Sequence, residues 1–247
     1  MQPEEYGRLG AIDERHWYYR GKRIMVTRWL ERLAGHLPEG CLLEVGIGTG
    51  RLAESLSAKY SIVGVDDSQE ALSLARERIR YRLIRGTLLE LPIKSETCSA
   101  VIALDVLEHL ENDQTGLAEM LRVSKDGGLL LINVPAFQFM WSSWDERLGH
   151  KRRYSKRAFR RLLQETSVEI IHLGYLNSLL FLPIIAYRKL MRRSGDSGMS
   201  TRLEDYLPPE PVNGFLERLF IAQGLGSLPA IPFGTSLFCV LRKKHWP

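Results

Sequence analysis

Short apolar runs alternate with polar segments along most of the chain, and their lengths suit buried strands better than long helices. Four runs are almost continuously apolar, as parallel strands buried on both faces are, and they occupy residues 41–46, 61–66, 99–105 and 129–134. Three further runs predict strands at 82–86, 168–176 and 235–244. The pattern therefore predicts a seven-stranded sheet.

The polar segments between these runs carry helical signals. Leu52 and Leu56 lie one helical turn apart after the first strand. Ser68 is a predicted N-cap, and it is followed by an apolar stripe at Leu72, Ala75 and Ile79. Strands that alternate with helices predict a doubly wound α/β fold, in which ligands bind beyond the carboxyl ends of the strands.

Composition adds limits to this fold. A chain of 247 residues suits one α/β domain with an addition, and a net charge of +5 permits an anionic partner without requiring one. The polar start does not read as a signal peptide, and the longest apolar run, 179–187, is about half a membrane span. Cys41, Cys98 and Cys239 lack metal spacing and predict buried thiols in a reducing compartment. We expect a cytoplasmic protein, with contact to the inner face of the membrane left open.

The first two strands end in the most informative residues. Glu44 is followed by Gly46, Gly48 and Gly50, which are spaced at alternate positions. This spacing differs from the G-x-G-x-x-G of dinucleotide sites, because Arg51 stands where that motif has its third glycine. Asp66 ends the second strand about 20 residues after the glycines, where a carboxylate can accept from both hydroxyls of an adenosine ribose. The alternative is a carboxylate that only starts the next helix.

These motifs resemble those of the class I S-adenosylmethionine-dependent methyltransferases. The similarity covers about residues 40–135 and includes "EVGIGTG", "VGVDDS" and "RGTLLELPIKSETCSAVIALDVLEHL". The resemblance implies a Rossmann-like seven-stranded sheet with an antiparallel last strand, and S-adenosylmethionine as cofactor. It also implies the cofactor-binding residues, which are Glu44, Gly46, Gly48, Gly50, Asp66, Asp67, Thr87, Leu88 and Asp105. Many relatives carry Asp where this chain has Thr87, so weaker recognition of the adenine amino group is expected.

Two flanking segments resemble a bacterial subgroup of this family. "ERHWYYRGKR" (14–23) and "WSSWDERLGHKRRYSKRAF" (141–159) are similar to its "H-aromatic-W-aromatic-R" and "W-x-x-D-x-x-x-G-H-x-R-R-Y" motifs. Members are associated with surface-glycan or lipid-linked sugar pathways. The resemblance therefore implies methyl transfer to an oxygen of a glycan, lipid-linked or small-molecule acceptor.

The loop after the fifth strand supplies the candidate catalytic residues. His150 is the candidate general base, because histidine side chains ordinarily titrate near neutrality, with Asp145 orienting it and Tyr154 beside it. The alternative is that His150 holds the loop closed. His16 is a weaker candidate base, and it more readily joins Trp17 in a lid over the cofactor, where Arg20 or Arg23 would meet the cofactor's carboxylate.

The "DVLEHL" phrase raises the question of a metal. Asp105, Glu108 and His109 offer oxygen and nitrogen ligands, as in ubiquinone-pathway O-methyltransferases with a similar E-x-x-E-H. The phrase is also common in relatives that use no metal, and its carboxylates can simply start a helix. We expect no metal.

The carboxyl-terminal third contains an insert between the last two strands. Within it, we expect a helix at 178–193 interrupted by Pro183, a mobile loop at 194–211 and a helix at 213–225. The insert can dock at a membrane, cover an apolar acceptor, or form a lid or a dimer surface. The predicted division is an N-terminal helical lid (1–38), a cofactor-binding core (39–177), the helical insert (178–234) and the final strand (235–247).

Three hypotheses for the function follow. The first is the methyltransferase; the second is a protein that binds S-adenosylmethionine without turnover, which Thr87 keeps open; the third is a nicotinamide-dependent oxidoreductase, which Arg51 disfavours. The basic run at 150–161 predicts either a solvated helix face or a contact with a phosphate-bearing acceptor or anionic membrane. Nucleic acid is not expected, because aromatic and basic residues do not interleave. The oligomeric state stays open.

Overall fold

A seven-stranded sheet forms the centre of the protein, whose computed structural model describes residues 7, 10, 12–193 and 206–245. The strand order is β3-β2-β1-β4-β5-β7-β6. The strands are β1 (Cys41–Val45), β2 (Ile62–Asp66), β3 (Arg82–Arg85), β4 (Cys98–Leu104), β5 (Ser124–Pro135), β6 (Val168–Leu176) and β7 (Ser236–Lys243). All seven overlap the predicted apolar runs, although β5 begins at Ser124, five residues before the run at 129–134.

The direction of the strands confirms the predicted fold. Strands β1 to β5 pair in parallel, and β7 runs antiparallel to both β5 and β6. The first strand lies between the second and fourth, so that Val45 pairs with both Val65 and Ala103. This arrangement brings the carboxyl ends of β1, β2 and β4 together at one edge of the sheet, which is where a ligand binds in such folds.

Helices cover both faces of the sheet. They are α1 (Trp17–Leu33), α2 (Arg51–Leu56), α3 (Gln69–Arg76), α4 (Asp113–Val123), α5 (Ser143–Leu148), α6 (Lys156–Leu162), α7 (Phe181–Arg193) and α8 (Glu210–Gly224). Successive strand residues point to opposite faces, so Leu43 packs in one core and Leu42 in the other. Both are buried, and each such side chain stabilises the fold by about 2 kcal/mol.

Helix α3 begins at its predicted N-cap but ends before its apolar stripe does. The Ser68 hydroxyl accepts from the backbone N–H of Ala71, as expected of an N-cap. Helix α3 ends at Arg76, before the apolar stripe does, because the chain must turn to enter β3 at Arg82. Ile79 is still buried, although it lies beyond the helix.

The insert between β6 and β7 departs from the expectation at Pro183. Helix α7 begins at Phe181, so Pro183 lies in its first turn, where a missing backbone N–H breaks no helical hydrogen bond. The predicted interruption of this helix is therefore wrong. Most of the predicted loop at 194–211 lies outside the described residues. Among the helices described, none is both long and apolar enough to cross a membrane.

Helix α8 packs on the N-terminal helix as part of the same core. The indole N–H of Trp29 donates to the carbonyl of Gly224 at 2.9 Å, and the Asn213 side chain accepts from the backbone N–H of Trp17 at 2.9 Å. Phe220 lies so close to Gly21 that a Cβ there would meet its ring at 2.8 Å. Both helices contribute to the core on the same face of the sheet, and their contacts fix the position of α1.

Candidate cofactor and acceptor site

A cavity of about 410 Å³ opens at the carboxyl ends of the strands. Its walls come from the loops after β1, β2, β3, β4 and β5 and from the first turns of α1. The residues predicted for cofactor binding line it with one exception, and they share it with Asp145 and His150. Residues from distant parts of the sequence therefore face one space.

The glycine turn is left-handed at all three of its glycines, with φ of 71° at Gly46, 53° at Gly48 and 76° at Gly50. A Cβ at Gly46 would meet the Val106 side chain at 2.6 Å, whereas a Cβ at Gly48 would meet no atom closer than 3.9 Å. Gly48 therefore presents bare backbone to the cavity. Because a ligand can approach it closely, the turn fits the predicted cofactor.

Gly50 does not line the cavity, although the sequence predicts it among the cofactor-binding residues. It caps the start of α2, and a Cβ there would lie 2.9 Å from the Cα of Ala75. The third glycine serves the packing of α2 against α3. The spacing in the sequence does not separate this role from ligand binding.

Asp66 connects the glycine turn to the end of β2. Its carboxylate accepts from the backbone N–H of Gly48 at 3.1 Å and from that of Ser68 at 3.0 Å. Burial raises the pKa of this carboxyl, although both backbone hydrogen bonds oppose the shift. Each oxygen keeps further acceptor capacity, so the side chain can hold the turn and accept from a ribose.

Glu44 is a buried carboxyl with an unused oxygen. Its Oε2 has no hydrogen-bond partner among the described residues, although the side chain lines the cavity. Burial raises the pKa of Glu44 to about 8. A buried polar atom without a partner indicates a site for a donor from outside the chain, and an amino group of the cofactor would supply one.

We expect Glu44 to make the stability of the ligand-free protein fall as pH rises. Its carboxyl keeps its proton up to about pH 8 when folded, but ionises near its ordinary pKa of 4.5 when unfolded. The stability that the protonated Glu44 carboxyl contributes is therefore fully present below pH 4.5 and is lost as the pH rises to 8. Relative to Glu44→Gln, the wild type should lose about 2 kcal/mol in the free energy of unfolding between pH 6 and pH 8, measured by urea denaturation. Parallel curves for the two proteins would contradict this.

The cavity lining includes the three residues predicted to lie beside the adenine, which are Asp67, Thr87 and Leu88. Leu88 is buried and offers an apolar surface to a ring. The Thr87 hydroxyl accepts from the backbone N–H of Leu89 at 3.2 Å. Part of its acceptor capacity is thus used within the chain, which is in keeping with weaker recognition of an adenine amino group.

Asp105 forms a contact that the sequence did not reveal. Lys22 of α1 donates to its Oδ2 at 2.5 Å, and Asn133 of β5 donates to its Oδ1 at 2.5 Å. Asp105 itself adopts a left-handed backbone with φ of 59°, which is strained for a non-glycine residue. The ion pair ties α1 to the end of β4. Lys22 gave no signal in the sequence because helix positions do not show which strand end they face.

Asp145 and His150 form the predicted pair. The His150 Nδ1 lies 2.9 Å from Asp145 Oδ1, and Arg153 Nε lies 2.7 Å from the same oxygen. Ser142 caps α5 through Asp145, and Gly149 ends it in a left-handed conformation that places His150 beside the carboxylate. Burial alone would raise the pKa of Asp145, but His150 and Arg153 together lower it well below its usual range.

Two other predicted residues lie outside the cavity lining. Tyr154, predicted beside the catalytic pair, is buried, and its hydroxyl donates to Asp113 Oδ2 at 2.8 Å instead of facing the cavity. His16 is also buried, and its ring caps α1 by accepting from the backbone N–H of Tyr18.

The two arginines predicted to meet the cofactor's carboxylate both pair with carboxylates of the chain. Arg20 pairs with Glu217, and Arg23, which lines the cavity, pairs with Asp13.

The turn after β4 places two more side chains next to His150. The ring centroids of His109 and His150 lie 4.8 Å apart, nearly edge to face, and Glu108 is within reach of both. Burial, followed by the charge of Asp105, raises the pKa of Glu108 well above its ordinary value, and burial lowers the pKa of His109 to about 4. Asp105 does not belong to this group, because Lys22 and Asn133 hold it elsewhere. The set considered from the sequence is thus replaced by Glu108, His109 and His150.

Comparison with known proteins agrees with the geometry of the strand ends. Residues 43–132 match the family model described as a methyltransferase domain. This part of the chain is a methyltransferase domain. The matched range runs from β1 into β5 and includes the glycine turn, Asp66, Thr87 and Leu88.

Curated relatives that match this part of the chain are named as methyltransferases. A ubiquinone/menaquinone biosynthesis C-methyltransferase of Syntrophotalea carbinolica is 35% identical over 127 residues, which are 48% of this chain and 50% of that protein. A probable S-adenosylmethionine-dependent methyltransferase of Mycolicibacterium smegmatis is 28% identical over 128 residues, or 51% and 48% of the two chains. This chain thus spans about half the length of these relatives.

A solved structure shows the fold over nearly the whole chain. It is the complex between the Haloferax volcanii Trm112 methyltransferase activator and the putative methyltransferase, with a TM-score of 0.62 at 15% identity. The superposition covers 99% of this chain and 96% of the other. Together, these comparisons confirm the prediction of a class I S-adenosylmethionine-dependent methyltransferase domain, and S-adenosylmethionine as its cofactor.

Proposed function

We propose that this protein transfers a methyl group from S-adenosylmethionine to an oxygen of a glycan, lipid-linked or small-molecule acceptor. One observation carries the proposal: the glycine turn with Asp66 and the Asp145–His150 pair line the same cavity. A cofactor bound at the glycine turn and Asp66 would therefore lie in the same cavity as an acceptor bound near Asp145 and His150. Close placement of two reactants is itself a large part of catalysis.

The cofactor end of the site is built by residues from three strands. Gly48 would lie under the methionine part, Glu44 would accept from its amino group, and Asp66 would accept from the ribose hydroxyls. Asp67, Thr87 and Leu88 would surround the adenine. When bound, S-adenosylmethionine supplies an activated methyl group on its sulfonium. The protein's own tasks are to align the two molecules, exclude water and take up a proton.

His150 is the proposed base. Asp145 accepts the hydrogen bond at Nδ1, which keeps the proton on that nitrogen and leaves Nε2 able to accept one from an acceptor hydroxyl. Arg153 fixes Asp145 in turn. Asp145 is therefore a positioning residue, because it acts through the imidazole.

Helix α1 is the proposed lid. Trp17, Tyr18 and Tyr19 from its first turn line the cavity, and Lys22 ties the helix to Asp105. The Lys22 Nζ also lies 4.4 Å from the centre of the Tyr18 ring. These contacts hold aromatic side chains over the strand ends, where they would exclude water from the reacting groups.

A lipid-linked acceptor is supported by an exposed apolar face beside the cavity. We define this face by Phe139, Leu179 and Leu182, which are 64%, 51% and 65% exposed. They flank a small cluster around Phe181, and Arg188 of the same helix lines the cavity. Exposed apolar patches on a protein surface are typical of binding sites. We propose that this face contacts the apolar part of the acceptor or the membrane that carries it.

Substitution of this apolar face should weaken membrane binding. We expect Leu182→Glu to lower the affinity for anionic phospholipid vesicles by at least about tenfold, because a buried leucine contributes about 2 kcal/mol and a carboxylate repels the surface. Sedimentation with the vesicles measures the effect. Tyr81→Glu, which changes another exposed apolar residue, is the matched control. Equal sedimentation of the two variants would contradict a membrane role for this face.

The methyl transfer itself is tested by product release. The purified chain is incubated with S-adenosylmethionine and a panel of hydroxyl acceptors that includes sugars, sugar phosphates and polyprenyl-linked sugars, and S-adenosylhomocysteine is quantified. Release that depends on one acceptor class supports the proposal and identifies the class. The second candidate is a protein that binds the cofactor without turnover, which the hydrogen bond already made by Thr87 favours. Tight binding without release from any acceptor would support that alternative.

A further inference from the structure

Three side chains with metal-ligating atoms meet on the wall of the cavity. Glu108 and His109 belong to a 3-10 turn after β4, and His150 follows α5. One ligand atom from each residue lies within 4.8 Å of the other two. We propose that Glu108, His109 and His150 bind a divalent transition-metal cation.

The burial of Glu108 points to a ligand from outside the chain. Its side chain is 0% exposed, yet neither carboxylate oxygen has a hydrogen-bond partner among the described residues. A buried carboxyl in this state is costly unless it pairs with a cation or coordinates a metal. The two cationic side chains whose charges act on Glu108 are both paired with other carboxylates. Lys22 binds Asp105, and Arg153 binds Asp145. A cation from solution would complete the group.

The outer contact of His150 matches that of a metal-binding histidine. Such histidines usually donate their second ring N–H to a carboxylate or a backbone carbonyl, which fixes the ring and its tautomer. His150 makes this contact through Nδ1 to Asp145. Its Nε2 is thus left for a ligand, and because the ring is already oriented, cation binding has less side-chain freedom to remove.

The ligand set determines which cation fits. Two imidazoles and one carboxylate suit zinc or iron(II), whereas magnesium and calcium prefer oxygen ligands. Three protein ligands leave at least one coordination position, and the side facing the cavity would accept an oxygen of a bound molecule. Lewis acidity of the cation would make a coordinated hydroxyl more acidic.

His150 Nε2 cannot bind a cation and accept a proton at the same time, so the cation site bears on methyl transfer. In the cation-loaded protein, the cation would activate the acceptor hydroxyl. In the metal-free protein, the His150 imidazole would take up the proton of that hydroxyl. The proposed role in catalysis rests on the proposed function. Cation binding itself does not, and it is measurable without any acceptor.

Calorimetric titration of the untagged, chelator-dialysed protein with zinc chloride and with magnesium chloride tests the site. We expect one equivalent of zinc to bind and magnesium to show no saturable binding. Glu108→Gln, which keeps the shape and removes the charge, should weaken zinc binding by at least about tenfold, and His109→Gln should do the same. The control variant His36→Gln removes an exposed imidazole that is not one of the three proposed ligands, and it should bind zinc as the wild type does.

Two results would overturn the site: no stoichiometric zinc binding to the wild type, or wild-type zinc affinity in the Glu108→Gln variant. A cooperative thermal transition is required of each variant, and His150→Gln replaces any variant that does not fold. The same wild-type protein is titrated separately with S-adenosylhomocysteine. Failure of that titration alone would count against the proposed function and leave the cation site standing.

Discussion

Asp66→Ala is expected to weaken binding of S-adenosylmethionine by about a hundredfold or more. Its carboxylate is the group placed to accept from both ribose hydroxyls, and each hydrogen bond to a charged group contributes about 1.5–3 kcal/mol. Loss of two such bonds corresponds to at least about 3 kcal/mol, or a hundredfold in affinity. The same oxygens hold Gly48 and Ser68, so the variant also loosens the turn that would lie under the cofactor.

Calorimetric titration with S-adenosylhomocysteine measures this effect, and two further variants separate its causes. Asp66→Asn keeps the size of the side chain and one acceptor oxygen, so we expect a smaller loss than with alanine. Glu77→Ala removes an exposed carboxylate at the end of α3 and should leave the affinity unchanged. An Asp66→Ala variant that binds within about threefold of the wild type would remove Asp66 from the ribose site.

His150→Ala is expected to cut turnover by about a hundredfold or more while leaving S-adenosylhomocysteine binding intact. The imidazole is held by Asp145 on one side, and removal of a general base typically costs 10²–10⁴-fold in rate, on the order of the effect expected here. Asp145→Asn should lower turnover by a smaller factor, because the imidazole remains but loses its orientation. The Asp145→Asn variant should also shift the pH profile of turnover, which a purely structural role would not do.

The measurement is the rate of S-adenosylhomocysteine release with the acceptor found in the panel, after removal of divalent cations by a chelator. His36→Ala is the matched control, since it deletes an exposed imidazole that has no contact with the cavity. Unchanged turnover in His150→Ala would show that His150 is not the base. The loop-closing role considered for this histidine would then be the better account.

The strands and the cofactor end of the site were predictable because both depend on local order in the sequence. A buried parallel strand is a continuous apolar run, and the residues that follow it lie at the ligand-binding edge of the sheet. Glu44, Gly48 and Asp66 were predicted in this way, and all three line the cavity. The pairing of Asp145 with His150 was also predictable, because the two lie five positions apart at the end of a helix that Gly149 terminates.

The remaining features depend on distances across the fold that the sequence does not encode locally. The contacts of Lys22 with Asp105, and of Glu108 with His150, join segments that are far apart along the chain. Tyr154 follows His150 closely, but the intervening turn directs its hydroxyl to Asp113 and away from the cavity. Gly50 looked like the other glycines, although packing on Ala75 explains its presence.

Calorimetric titration of the purified chain with S-adenosylmethionine and then S-adenosylhomocysteine shows whether the strand ends hold the cofactor beside a catalytic histidine. We expect one site that binds both molecules with dissociation constants on the order of micromolar, close to −8 kcal/mol. Saturable binding of neither molecule to the folded wild-type protein would contradict it.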